Sequence, residues 1–326
     1  MGLYMKSLKK FALVGAMGGA LIASFAMPAA AGDTGYPKNW GPDDELGSFN
    51  ILKPEMAAAA AKLVTTGKSY ALSIDSSADT PAGAGLTPRE YRTFIFQPGQ
   101  PLGRPLAKNG FGFLDDVVYT WQGVGTQIDG LAHVGVNNVF YNDVKLEDFV
   151  KVSGVSKFST HALPPVVTRG LMFDAVKYKG VDFMKQGEVI SLADLKGMMK
   201  AQGVSPREGD VVLFNTGWIK NMDKVDPAIF ARQEPGIGID IANYLIDLGV
   251  VAIGADTFGL EVIPPEDPDS PFPAHIRMLQ ETGTYVLENI RTEELADDEV
   301  YEFMFVLGVP KLVGTVQGII TPVAVR

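Results

Sequence analysis

This 326-residue chain contains three histidines, His133, His161 and His275, and no cysteine. Thiolate metal sites, disulfides and a cysteine nucleophile are thereby excluded, so nitrogen and oxygen donors must carry any metal chemistry. The densest group of such donors is Gly125-Thr126-Gln127-Ile128-Asp129-Gly130-Leu131-Ala132-His133. Asp129 and His133 are four apart; on a helical turn they face the same side and can grip one cation. The glycines permit close backbone approach where a strand runs into that helix. Taken alone, a D-x-x-x-H spacing is weak, because it arises often by chance. No G-x-S-x-G elbow offers a serine nucleophile in its place. His161 lies in Ser159-Thr160-His161-Ala162-Leu163-Pro164-Pro165, a loop where a structural histidine is the better reading.

The segment around Asp129 resembles the signature H-x-G-T-H-x-D-x-P-x-H of the cyclase family, which includes bacterial kynurenine formamidases, isatin hydrolases and trans-dienelactone hydrolases. Gly125, Thr126, Asp129 and His133 match in register. The departures are Gly123 for the first histidine, Gln127 for the second and Leu131 for the proline. Further landmarks resemble the family in order: Val167-Thr168-Arg169-Gly170 with Phe173-Asp174, then Asn215-Thr216-Gly217-Trp218. Glu234-Pro235-Gly236-Ile237, Gly254-Ala255-Asp256-Thr257 and His275-Ile276-Arg277-Met278-Leu279 follow, with Glu288 in the place of a late glutamate. Several weak motifs in fixed order are far more specific than any one of them.

The resemblance implies a swivelling β/β/α fold, assembly into homodimers or homotetramers, and a metal site. Carried over by position, Asp129, His133 and Glu288 are the expected ligands, with Gln127 as a possible fourth donor. His275 is the expected acid/base, acting with Glu288. Gly123 cannot ligate and Gln127 offers only a neutral amide, which favours one divalent ion, zinc or manganese, over two. Such an ion brings bound water to a pKa of about 7 and polarises a carbonyl oxygen. The expected activity is hydrolysis of a small lactone, cyclic amide or imide, or formamide. Gln127 speaks against a plain kynurenine formamidase. The alternative is a binding protein of the same fold that has lost catalysis.

The elements that must position these residues follow from pattern. Pro54 opens a helix at its first position, and Ser191 with Asp194 caps another that ends at Gly203. Ile239–Leu248 is helical by periodicity. Strands are expected at Ser69–Ile74, Tyr91–Phe96, Asp116–Trp121, Asp210–Asn215, Val250–Ala255, Thr284–Leu287, Tyr301–Val309 and within Val313–Val325. Helices and strands alternate irregularly, which predicts a single α/β domain with a mixed sheet rather than a doubly wound parallel one. Trp121, Phe111 and Phe113 fit a pocket wall or, more commonly, the core. Asp256, at a strand end, fits either a supporting role at the site or a turn bond. The stiff, acidic Pro264–Pro271 segment fits a rim or a solvated loop.

A formal charge of -10 and the lack of a basic stripe argue against nucleic-acid partners; a small molecule is the expected partner. Lys6, Lys9 and Lys10, the apolar run Phe11–Met27 and Pro28-Ala29-Ala30-Ala31 form the order of a secretory signal. Residues 1–31 are therefore expected to be cleaved, leaving 32–326 as one domain, exported and periplasmic, with no membrane association.

Overall fold

The computed structural model describes residues 40–82, 89–96, 105–230 and 232–326. The expected signal at 1–31 lies outside them, and among the described residues no helix is long and apolar enough to cross a membrane. The described residues belong to one compact unit.

Apart from four two-residue strands, the strands are β1 (Ser69–Ala71), β2 (Tyr91–Phe96), β3 (Asp115–Thr120), β4 (Gln127–Asp129), β5 (Val166–Asp174), β6 (Val211–Asn215) and β7 (Ala252–Ala255). They continue with β8 (Tyr285–Glu288), β9 (Glu302–Leu307), β10 (Gln317–Ile319) and β11 (Val323–Val325). Among the described residues, nine of these form one sheet in the order β1-β11-β9-β5-β6-β7-β8-β4-β10. β5, β6, β7 and β8 run parallel to one another, and the flanking pairs are antiparallel. The sheet is mixed, as the irregular alternation predicts. Every residue of β6, β7 and β8 is buried, because parallel strands are covered on both faces. Hence their sequences are unbroken apolar runs rather than alternating ones.

The helices keep their sequence signals. α1 (Pro54–Ala60) starts on proline and packs on β5. α2 (Leu192–Gln202) carries the reciprocal Ser191/Asp194 capping box and stops at Gly203 in the left-handed conformation. α3 (Ile239–Asp247) buries Ile241, Ala242, Leu245 and Ile246. The spacing of those four residues is that of a single helical stripe.

Several of the ordered motifs prove to be joints. Arg169 on β5 makes paired bonds to Asp210 at 2.9 and 2.6 Å and a third to Glu302 at 2.8 Å, tying three strands together. The ends of β6 and β7 meet in the same way. Asp256 accepts from Thr216 N and Oγ1 at 2.7 and 2.6 Å and from Trp218 N at 3.0 Å. The turn explains Asp256 fully.

β2 and β3 stand apart as a hairpin of their own. Here the core reading fails. Trp121, Phe111 and Phe113 are 43, 53 and 40% exposed. Asp129 and His133 are not on a helix either. β4 ends at Asp129 and a tight turn follows, closed by His133 N to Gly130 O at 2.9 Å.

Candidate metal centre

β4 is three residues long and buried throughout, yet two of the three are polar: Gln127, Ile128 and Asp129. Alternation along a strand puts Gln127 and Asp129 on one face. Register does the rest. Gln127 lies opposite Glu288 of β8, and Asp129 opposite Gln317 of β10. Gln317 Nε2 donates to Asp129 Oδ1 at 2.7 Å, while Gln127 Nε2 donates to Asp129 Oδ1 at 3.3 Å and to Glu288 Oε2.

His275 arrives from a different direction. It ends a short helical segment, Pro273–His275, that continues as a wide turn over Ile276–Thr282. Its Nε2 lies 3.2 Å from Glu288 Oε1 and 3.6 Å from Asp129 Oδ2. Glu261 fixes the ring. Its Oε1 is 2.6 Å from His275 Nδ1 and also accepts from His275 N at 2.9 Å, while Oε2 accepts from Ala274 N at 3.1 Å. A carboxylate behind the far ring nitrogen is the arrangement that orients a metal-binding imidazole. One ligating atom from each of Asp129, His275 and Glu288 falls within 4.8 Å of the others.

His133 approaches Asp129 Oδ2 from the outer side, its Nε2 at 3.7 Å and its side chain 25% exposed. His275, by contrast, is only 4% exposed. The two imidazoles therefore differ in access as well as in partners. His161 belongs elsewhere: its Nδ1 pairs with Ser159 Oγ at 2.9 Å, and its carbonyl accepts from Lys311.

The charges are strained in an informative way. Burial pushes Glu288 up, and the neighbouring Asp129 carboxylate pushes it further. Burial acts on Asp129 in the same sense, but His133, His275 and Gln317 outweigh it and hold Asp129 below the usual range. Burial opposes a charge on His275; the surrounding Asp129, Glu261 and Glu288 nonetheless hold it well above the normal imidazole range. His133 goes the other way, lowered by burial and by the positive charges of His275 and Arg89. Glu234 is also wholly buried, with its oxygens on Phe258 N and Gly259 N at 2.6 Å each. Four carboxylates, those of Asp129, Glu234, Glu261 and Glu288, are thus sealed around one imidazole.

Such a group fits a cation. Asp129 Oδ2 and Gln127 Oε1 are buried with no hydrogen-bond partner, and buried polar atoms are rarely left so without a reason. The donors are one imidazole and carboxylate oxygens, a set that suits zinc or manganese.

All of Gln127, Asp129, His133, His275 and Glu288 are brought to this one place. Sequence reasoning missed Glu261, Glu234, Gln317 and Arg89. Glu234 was visible as the first residue of the E-P-G-I motif, and Glu261 stands in the run Gly259-Leu260-Glu261-Val262 just before the proline-rich segment. Arg89 sits in a stretch whose composition reads only as loop. Nothing local marks it.

Comparison with known proteins bears on this geometry. A solved cyclase structure is 28% identical, with a TM-score of 0.78 over 88% of this chain and 96% of that one. Isatin hydrolase A from Labrenzia aggregata, solved with benzyl benzoate, is 16% identical, with a TM-score of 0.58 over 85% of this chain and 98% of its own. Isatin hydrolase A from Ralstonia solanacearum is 17% identical, with a TM-score of 0.59 over 84% and 98%. At such identities the last two testify to fold alone. The search of curated proteins gives no match. The Cyclase family model matches residues 70–262, more than half of the chain and a span that includes β4 and the turn to His133; the chain is a member of the Cyclase family.

Proposed function

We propose that the protein is a metal-dependent hydrolase of a small cyclic or formylated carbonyl compound. The observation that carries this reading is the buried trio Asp129, His275 and Glu288, whose ligating atoms converge while Asp129 Oδ2 has no hydrogen-bond partner. These three residues would hold the ion. Bound there, a divalent cation supplies Lewis-acid polarisation of a carbonyl oxygen and acidifies water.

This reading exchanges the roles that the resemblance assigns to the two histidines. His275 is buried, caged by carboxylates and oriented by Glu261, which suits a ligand. His133 is open to solvent on one side, and its imidazole is held below its ordinary pKa, so it stays neutral near pH 7. A neutral, accessible imidazole is the group that can take a proton from attacking water and return it to the leaving oxygen or nitrogen. Gln127 orients both Asp129 and Glu288 through one amide nitrogen and acts as a positioning residue.

The test is hydrolysis of a panel of lactones, cyclic imides and formamides, before and after chelation and after repletion with zinc or manganese. Turnover that is lost on chelation and restored by metal is the expected result. Turnover indifferent to chelation would defeat the reading. The competing reading, binding without catalysis, draws on Gln127, whose neutral amide donates to the carboxylates where a ligating imidazole would help hold a second ion. It predicts ligand retention with no product from any panel member.

Two further parts of the reading concern the protein as a whole. The apolar hairpin face supports self-association into a homodimer or homotetramer. The N-terminal signal supports export, to be checked by N-terminal sequencing of periplasmic protein; a chain still carrying residues 1–31 there would oppose cleavage.

A further inference from the structure

Asp129 and Glu288 each turn one oxygen to either side of the site. On the inner side, Asp129 Oδ2 and Glu288 Oε1 lie 3.6 and 3.2 Å from His275 Nε2. On the outer side, Asp129 Oδ1 and Glu288 Oε2 share one donor, Gln127 Nε2. Two carboxylates disposed in this way present a pair of anionic oxygens to a cation on each side. On the outer side an amide nitrogen takes that pair instead, and an amide carries no net charge. Buried carboxylates met only by a neutral donor keep most of their charge uncompensated.

Arg89 supplies the missing charge. Its Nη1 donates to Gly123 O at 2.8 Å, and its Cζ lies 5.2 Å from the centre of the Phe258 ring. The backbone carrying that ring is fixed in turn, because Phe258 N and Gly259 N both donate to the buried Glu234. A Cβ built on Gly123 would run into Arg89 Nη1 and lie 3.1 Å from Gln127 Oε1. The guanidinium and the amide oxygen are therefore neighbours across this glycine, and any side chain at 123 would have to displace the guanidinium. Gln127 Oε1 is buried with no hydrogen-bond partner, and lone pairs left without a donor are best placed facing a cation. The amide is polarised accordingly, oxygen toward Arg89 and N–H groups toward the carboxylates. The positive charge of Arg89 is felt at Glu288 and at His133 alike.

We propose that Arg89, acting through Gln127, takes the place of a second cation on the outer side and so fixes the site at one metal ion. A guanidinium brings a positive charge that no pH near neutrality removes, and it brings no coordination positions. It offsets the carboxylates in the metal-free protein, opposes an ion on the outer side and leaves the inner side as the place for one. Arg89 is thus a specificity-determining residue and not a ligand. This inference rests on the metal reading proposed above and concerns how many ions that site admits.

The experiment is calorimetric titration of the mature, chelator-stripped protein with zinc and with manganese. The wild type should take one equivalent. Arg89→Met removes a charge that repels the ion, so it should bind that equivalent more tightly, on the order of tenfold. Arg89→Lys keeps the charge and should stay within about threefold of the wild type. A merely structural Arg89 predicts the opposite sign, with weaker binding once the bond to Gly123 O is lost. If Arg89→Met does not fold, Arg89→Gln, neutral but still able to donate to a carbonyl, carries the same expectation. Stoichiometry is the second readout. Gln127→Glu should remain at one equivalent, because Arg89 pairs with the new carboxylate, whereas the double variant Arg89→Met with Gln127→Glu should take two. Unchanged or weaker first-ion binding in the neutral Arg89 variants, a double variant that stops at one, or two equivalents in the wild type would overturn the proposal. No uptake by any of these proteins would defeat the metal reading itself.

Discussion

Two regions of this molecule invert the usual rule of burial, in opposite senses. At β4, Gln127 and Asp129 are sealed from solvent with Glu288, His275 and Glu261 around them. On the β2–β3 hairpin, Phe94, Phe96, Val117 and Tyr119 share one face by register and are 46, 53, 51 and 56% exposed. Burying carboxylates costs free energy unless they are paired, and leaving a contiguous apolar face in water forgoes burial worth about 25 cal/mol per Å². Each region is unfinished in its own currency of charge or area. On the function proposed above, a cation would complete the first and a second copy of the chain the second. Asp256 is the control between them: a buried carboxylate whose oxygens accept three hydrogen bonds and which needs neither.

The comparison breaks first at the metal centre. Asp129→Ala and Glu288→Ala should lower metal affinity by more than about a hundredfold, since even residues behind the ligands are worth 10–100-fold. Dialysis against a competing chelator reads this directly. Glu288→Gln sharpens the point. It removes one of two repelling carboxylates, so the metal-free protein should gain thermal stability while the loaded protein loses it. A variant less stable in both states would contradict the electrostatic account.

The histidines provide the next contrast. His275→Ala should lose metal. His133→Ala should keep it and lose turnover by about 10²–10⁴-fold, the usual worth of general acid–base catalysis. Metal retained in His275→Ala, or turnover retained in His133→Ala, would reverse the assignment.

The control region predicts a pH effect. Burial raises Asp256 to about 6, against the bonds from Thr216 and Trp218, while the unfolded chain has the ordinary value of 3.8. Between these values the folded state holds the proton that the unfolded state releases, so folding stability falls as pH rises from about 4 to about 6. The loss is on the order of 3 kcal/mol. Asp256→Asn abolishes it, so the stability difference between wild type and variant should shrink across that window and be flat above it. A constant difference from pH 4 to 7 in denaturant titrations would contradict the shift.

The smallest effect on folding belongs to the hairpin. Val117→Lys should change stability by no more than about 0.5 kcal/mol, as exposed substitutions do, while shifting sedimentation toward the monomer. A wild type that is monomeric at all concentrations would contradict self-association through the hairpin face.

How much of this was legible in the residues varies with the range of the interactions. The Ser191/Asp194 box, Pro54 and the left-handed Gly203 are local devices, and each acts where it reads. The mixed sheet was legible because apolar runs such as Val211–Asn215 are long enough to show their burial. β5 was visible only as two motif fragments, since Thr168 and Arg169 interrupt its apolar pattern to make their own bonds. The turn after Asp129 reads as helix in the sequence, because a four-residue spacing suits both and the choice falls to Gly130 and the sheet edge. Arg89 and Glu261 act through neighbours 34 and 14 residues away, and no local pattern announces such partners. Trp121, Phe111 and Phe113 read as core from composition alone, because composition cannot say which surface an apolar side chain meets.

The central claim is that Asp129, His275 and Glu288 hold one divalent ion, and elemental analysis of the mature protein purified without chelator tests it most directly. One equivalent of zinc or manganese, lost in His275→Ala and kept in His133→Ala, is the result expected. No metal in the wild type after incubation with excess zinc or manganese, or a full complement in His275→Ala, would contradict it.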